Sequence, residues 1–189
     1  MSRRYAALVV PLILFALVGC VDAPDAIDQT PTAGYTPTPT PATPTASATP
    51  GPTSEPFAID CSDLISAAEI YEYNPNFGGV EGWVPSPGTV AGDGVAAQGT
   101  ACRWQNQSSG ATIDVSVAHL LGPGLSAKRA EVAASSTPAP WAIEGYFLAN
   151  GGPGVAQAFT GEYWITVEST TFFAAEDVAP LIEYISGAL

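Results

Sequence analysis

Apolar residues run from Ala6 to Val18, thin out between Val21 and Pro56, and from Phe57 onward recur with helix and strand spacings. In "CSDLISAAEIYEY", Ser62 is a candidate N-cap, and Leu64, Ile65, Ala68 and Tyr71 share one helical face, predicting a first helix. The stretch from Asn74 to Gly99 is dense in glycine and proline and reads as loop. "ACRWQNQSSGATIDVSVAHL" predicts a hairpin turning at Ser108–Gly110, with Ile113, Val115 and Val117 on one face and Thr112, Asp114 and Ser116 on the other. A short helix is expected over Leu125–Ser135. A second hairpin follows, Gly154–Phe159 and Glu162–Ser169, turning at Thr160-Gly161. Its second strand alternates Tyr163, Ile165 and Val167 with Glu162, Trp164, Thr166 and Glu168. The chain ends in a helix that turns Val178, Leu181, Ile182 and Ile185 inward, with Pro180 within about its first turn. Hairpins require antiparallel pairing, and one-sided alternation requires a helical cover. The expected fold is α+β: a two-layer sandwich of an antiparallel sheet of two hairpins with helices packed on one face, preceded by a disordered tether.

The 13-residue apolar run follows Arg3 and Arg4. It is short for a membrane span, which takes about 20 residues, and fits the roughly 7–15 of a secretory leader. It ends in Leu17-Val18-Gly19-Cys20, which resembles the lipobox of bacterial lipoproteins. That resemblance implies a diacylglyceryl group on the Cys20 thiol and cleavage just before it. The competing reading is an ordinary signal peptide with a cysteine near its cleavage site. Residues 1–19 are therefore expected to be a lipoprotein signal peptide, with Cys20 the lipidation site and membrane anchor.

Nine prolines and nine threonines among residues 21–56 leave little to bury, so residues 20–56 read as lipid anchor and disordered tether. Such a tether reaches between about 35 Å as a coil and about 110 Å as polyproline II. Composition of this kind also resembles O-glycosylated stalks. The remaining residues, 57–189, are enough for one domain with its own core. They carry three basic residues, Arg103, Lys128 and Arg129, against fourteen acidic ones. A surface this acidic repels phosphates and anionic headgroups, which argues against nucleic-acid binding.

With Cys20 assigned to the anchor, Cys61 and Cys102 remain, an even number in a chain expected to be exported. A Cys61–Cys102 disulfide is the natural reading; two separate buried thiols would suit a reducing compartment. The lipobox, the Thr/Pro tether, "CSDLI" opening a helix and "CRWQ" opening a hairpin together resemble actinobacterial secreted lipoproteins of unknown function with a paired-cysteine α+β domain. More distantly, they resemble extracellular sensor domains of bacterial Ser/Thr kinases. The resemblance implies an envelope-associated binding or sensing role at the extracytoplasmic membrane face and transfers no catalytic residue.

No CxxC, Cys/His cluster, GxSxG, P-loop or dinucleotide motif is present, so neither a metal nor another cofactor is expected. His119 is the single histidine, and without a positioned partner it reads as a strand-end residue at the core rim. The glycine-proline triplets at Gly122–Gly124 and Gly152–Gly154 read as turns. Aromatic residues carry more: Tyr73, Phe77 and Trp83 crowd the glycine-rich loop, with Tyr71 beside them, and Trp141 follows a Pro-rich stretch. They either line a ligand cleft or roof a small core. Trp104 shares a face with Cys102 and should be core. Trp164 falls on the polar face, either under a loop, with Phe77–Trp83 the expected cover, or as an exposed platform. Tyr73, Phe77, Trp83, Trp141 and Trp164 are thus the candidate ligand-binding residues. Two functions follow: a membrane-anchored envelope module that binds an unidentified ligand or protein partner, and, as the alternative, a stalked hydrolase using His119.

Overall fold

The computed structural model describes residues 53–149 and 151–189. The leader, Cys20 and the tether up to residue 52 lie outside the described residues. The chain folds as an α+β sandwich on one antiparallel sheet of eight strands: β1 Ser54–Glu55, β2 Phe77–Gly79, β3 Thr100–Asn106, β4 Thr112–Leu120, β5 Thr137–Pro138, β6 Glu144–Leu148, β7 Gly154–Thr160 and β8 Tyr163–Ser169. Both expected hairpins, β3–β4 and β7–β8, are present, and Gly161 takes a φ of 55° in the second turn. Pairing of β4 with β8 joins them, aligning Val115 with Val167 and Val117 with Ile165. The strand order is β2-β3-β4-β8-β7-β6-β5, with β1 on the far end of β4.

The front face carries the main core. Ile113, Val115, Val117, Ala156, Ala158, Ile165 and Val167 are fully buried there. They lie against helix α5, Ala175–Gly187, whose Val178, Leu181, Ile182 and Ile185 point inward as expected. Burying a side chain of this size stabilises by about 1.5–3 kcal/mol, so this layer accounts for much of the fold's cohesion. Helix α5 starts at Ala175, where the Asp177 carboxylate accepts from the Phe173 and Ala174 N–H groups. Pro180 therefore falls in its second turn.

The expected first helix is two. Helix α1, Cys61–Leu64, breaks at Ile65, and α2, Ala67–Tyr73, restarts from Ser66. There the Glu69 N–H donates to Ser66 Oγ, and the Glu69 carboxylate accepts from the Ser66 N–H at 2.7 Å. This reciprocal cap satisfies donors that a continuous helix would have used internally. The restart changes the buried face: Leu64, Ile65 and Ile70 go inward, while Ala68 and Tyr71 face solvent.

The back of the sheet is also covered. Helix α4, Gly122–Ser135, takes in the first Gly-Pro-Gly triplet as its opening turn, with Pro123 in its first positions, where a missing N–H costs nothing. It buries Leu125 and Val132 in a second, smaller cluster with Ala118, Leu120, Phe159 and Trp164. Helix α3, Val90–Ala96, lies within the region read as loop. The Thr89 hydroxyl caps it by accepting from the Gly92 N–H at 3.0 Å, and Gly94 lets it rest directly on Ser116. Ser116 and Thr166 form a fully buried hydroxyl pair beneath it, 2.6 Å apart.

The last residues assigned to the tether belong to the sheet. Glu55 pairs with His119 in β1, and Thr53 C=O accepts from the Leu121 N–H at 2.9 Å. β4 outruns β3 at this end, and β1 fills the edge that would otherwise stay unpaired.

Candidate functional site

Cys61 and Cys102 are joined in a disulfide with Cα atoms 5.7 Å apart, tying the start of α1 to β3. Next to it the chain forms an open groove of about 700 Å³. One wall is α1, α2 and the break between them, giving Ile65, Ile70 and Tyr71; the other is β2 and the loop Val80–Trp83; the floor is Ala101, Arg103 and Trp104. Ligand pockets commonly have this size and apolar character. The walls stay apart because Leu64, Ile70 and Phe77 are anchored in the front core while β2 holds the sheet edge.

Trp83 is half-buried with its ring over the Arg103 guanidinium, 4.2 Å from the centroid. Arg103 is itself held by Asp114, with Nε and Nη2 each donating at 2.6 Å. That bidentate bond raises the Arg103 pKa above its ordinary value and leaves a neutral pair beneath the groove. Glu168, opposite Asp114 on β8, is pushed up from its ordinary value, first by burial and then by the Asp114 charge, with Arg103 opposing. Tyr71 is 67% exposed at the lip.

The five candidate aromatics are not gathered together. Phe77 and Trp83 line the groove. Tyr73 sits on the other side of Phe77, ring centroids 6.3 Å apart, in a smaller recess of about 310 Å³. Its hydroxyl donates to the Asp177 carbonyl at 3.1 Å, and its pKa is pushed up to about 12 by burial, then by the Asp177 charge. Trp141 is half-buried against the front core, its Nε1–H donating to the Ala175 carbonyl at 3.1 Å. Trp164 is 2% exposed and offers no platform. It lies between α3 and α4 with Lys128 Nζ 4.7 Å from its ring centroid, and its Nε1–H donates to Gln157. The Phe77–Trp83 stretch, expected as its cover, lies instead at the β2 edge of the sheet, with β3 and β4 between it and β8. Trp104 is core, as expected.

The sequence pattern puts Tyr71, one of the crowding aromatics, on the buried helical face, and misses Ile65, Ile70 and Arg103 as groove residues. The signal for the first three was the Ser66–Glu69 capping pair, which resets the helical phase.

His119 lies elsewhere, at the junction of β1 with β4. Its Nδ1 faces Glu55 at 3.5 Å and its Nε2 faces Glu162 at 3.2 Å, and its ring stacks on Tyr163. Both ring nitrogens are thus engaged by carboxylates, and neither is positioned on a hydroxyl or thiol nucleophile among the described residues. Among the described residues no helix is long and apolar enough to cross a membrane.

No family model, curated protein or solved structure matches the chain. The functional reading therefore rests on the geometry of the groove.

Proposed function

We propose that this chain is a lipid-anchored lipoprotein of the bacterial cell envelope, whose domain binds a ligand in the groove between α1–α2 and β2–β3. The observation that carries the binding role is the 700 Å³ apolar groove with two aromatic side chains, Tyr71 and Trp83, at its opening. Exposed aromatic surface left uncovered forgoes burial energy that a partner supplies on binding. The disulfide holds one wall of the groove to its floor, so little conformational entropy is lost when a ligand enters. The lipidated leader and the Thr/Pro tether would hold this domain away from the extracytoplasmic membrane surface.

The binding role is tested with the neutral apolar dye N-phenyl-1-naphthylamine, titrated into the full chain. Saturable fluorescence enhancement, lost in Trp83→Ala and Tyr71→Ala but kept in Phe173→Ala, is expected; Phe173 is 81% exposed at a different surface. Equal loss in all three variants, or in none, rules out the groove. The anchor is tested by mass spectrometry of the membrane fraction. The wild type should carry a diacylglyceryl mass on Cys20, and Cys20→Ser should release the chain.

A further inference from the structure

We infer that the groove takes an extended peptide segment of a partner protein, one that places lysine or arginine beside large apolar side chains; this rests on the groove being the binding site proposed above. Charge distribution selects the cation. The domain's three basic residues are all engaged within it: Arg103 with Asp114, Lys128 with Glu131 at 2.8 Å, and Arg129 with Glu144 at 3.3 Å. The groove itself is lined by Asp60 and Glu81. Asp63, Glu69 and Glu72 follow on α1 and α2, and none of these five has a basic partner within 4 Å among the described residues. An apolar groove is thus bordered by uncompensated negative charge.

Electrostatics of this kind penalise an anionic ligand and leave a neutral one without charge complementarity, whereas a cationic segment gains steering and register. The Tyr184 hydroxyl on α5 senses the same field. Its pKa is raised by burial and then by Glu72, Glu69 and Glu183.

Main-chain geometry selects a peptide. Arg103 C=O accepts from the Val80 N–H at 2.8 Å on the β2 side of β3. Residues two apart on a strand direct their polar groups the same way, so those of Ala101 face that side too. β2 reaches only Trp104–Asn106, and Ala101 opens onto the groove floor. An extended segment lying there can bond to Ala101 while its side chains enter the apolar walls, the logic of strand addition on a short scale. Glycines 78, 79 and 82 line the facing wall and present backbone rather than side chains to it.

The test is isothermal titration calorimetry of the full chain with three acetylated, amidated pentapeptides: Lys-Leu-Lys-Phe-Lys, Gln-Leu-Gln-Phe-Gln and Lys-Gly-Lys-Gly-Lys. The first should bind, displace the dye, and weaken as salt rises from about 50 to about 500 mM. The other two should bind at least roughly tenfold more weakly. Joint Asp60→Asn and Glu81→Gln substitution should cost the first peptide roughly tenfold, two partly exposed ion pairs being lost. Glu162→Gln, at the turn between β7 and β8 beside His119, should cost it nothing.

Equal binding of the glutamine peptide overturns the cationic assignment while the groove stands. Equal binding of the glycine peptide shows charge attraction alone and overturns the requirement for large apolar side chains, and with it the proposal. If no peptide displaces dye that still responds to Trp83→Ala, the partner is not a peptide; if the dye fails that control, the groove reading falls as well.

Discussion

Gly94→Ala tests the packing of α3 on the sheet most directly, because two opposing effects of known size meet at one atom. Alanine in place of a helical glycine ordinarily stabilises by about 0.5–1 kcal/mol through the unfolded chain. Here the added Cβ would meet Ser116 Oγ well inside van der Waals contact and lie 2.7 Å from Ser116 Cβ. Ser116 has nowhere to turn, since it is fully buried and its hydroxyl is bonded to Thr166 at 2.6 Å. Overpacking of this kind costs about 1–3 kcal/mol, and breaking the hydroxyl pair leaves buried polar atoms unsatisfied at a similar cost. Both costs arise from one displacement and partly overlap, at about 2–4 kcal/mol together; less the glycine gain, the expected net loss is about 1–3 kcal/mol. At about 4 °C per kcal/mol this lowers Tm by roughly 4–12 °C.

Urea unfolding should show a lower midpoint with an unchanged slope. Adding Gly94→Ala to a Ser116→Gly background should be neutral or stabilising, because the nearest remaining Ser116 atom is its Cα at 3.9 Å. Gly187→Ala at the end of α5, with open space around the new Cβ, should not destabilise. A Gly94→Ala protein as stable as wild type would refute the close packing of α3 on β4.

Trp164→Ala should cost about 3–5 kcal/mol by emptying the space between α3 and α4, and Trp164→Phe less; thermal unfolding checks both, and an unchanged Tm would mean the indole is not in that core. Replacing Cys61 and Cys102 by alanine together should lower unfolding free energy by about 4 kcal/mol for a 41-residue separation. It should also weaken dye binding, since the groove's wall is then released from its floor. Glu168 has a folded-state pKa raised above its ordinary 4.5, so the folded chain holds its proton more tightly than the unfolded one. Its contribution is favourable in acid and lost as pH rises through the folded value. Glu168→Gln should therefore raise stability at pH 7 and lose that advantage in acid, measured as Tm against pH.

Local patterns were enough to read both hairpins, the inward face of α5, the position of Trp104 and the pairing of the two cysteines. Each depends on near neighbours or on a short list of options: strand alternation has period two, the last helix has one apolar stripe, and two cysteines allow one intramolecular pairing. What escaped the sequence depends on contacts between distant segments. Glycine-rich α3 has a low intrinsic helical preference and exists because Thr89 caps it and Gly94 fits against Ser116 across the sheet. Alternation places Trp164 on the polar face and leaves open both a loop cover and an exposed platform; it is buried because α3 and α4 flank it on the back face. The groove was half-legible: aromatic crowding drew attention to Phe77 and Trp83. Tyr71 reached its lip only through the helix restart at Ser66, and its floor exists only because β2 stops short of Ala101 on the edge of β3.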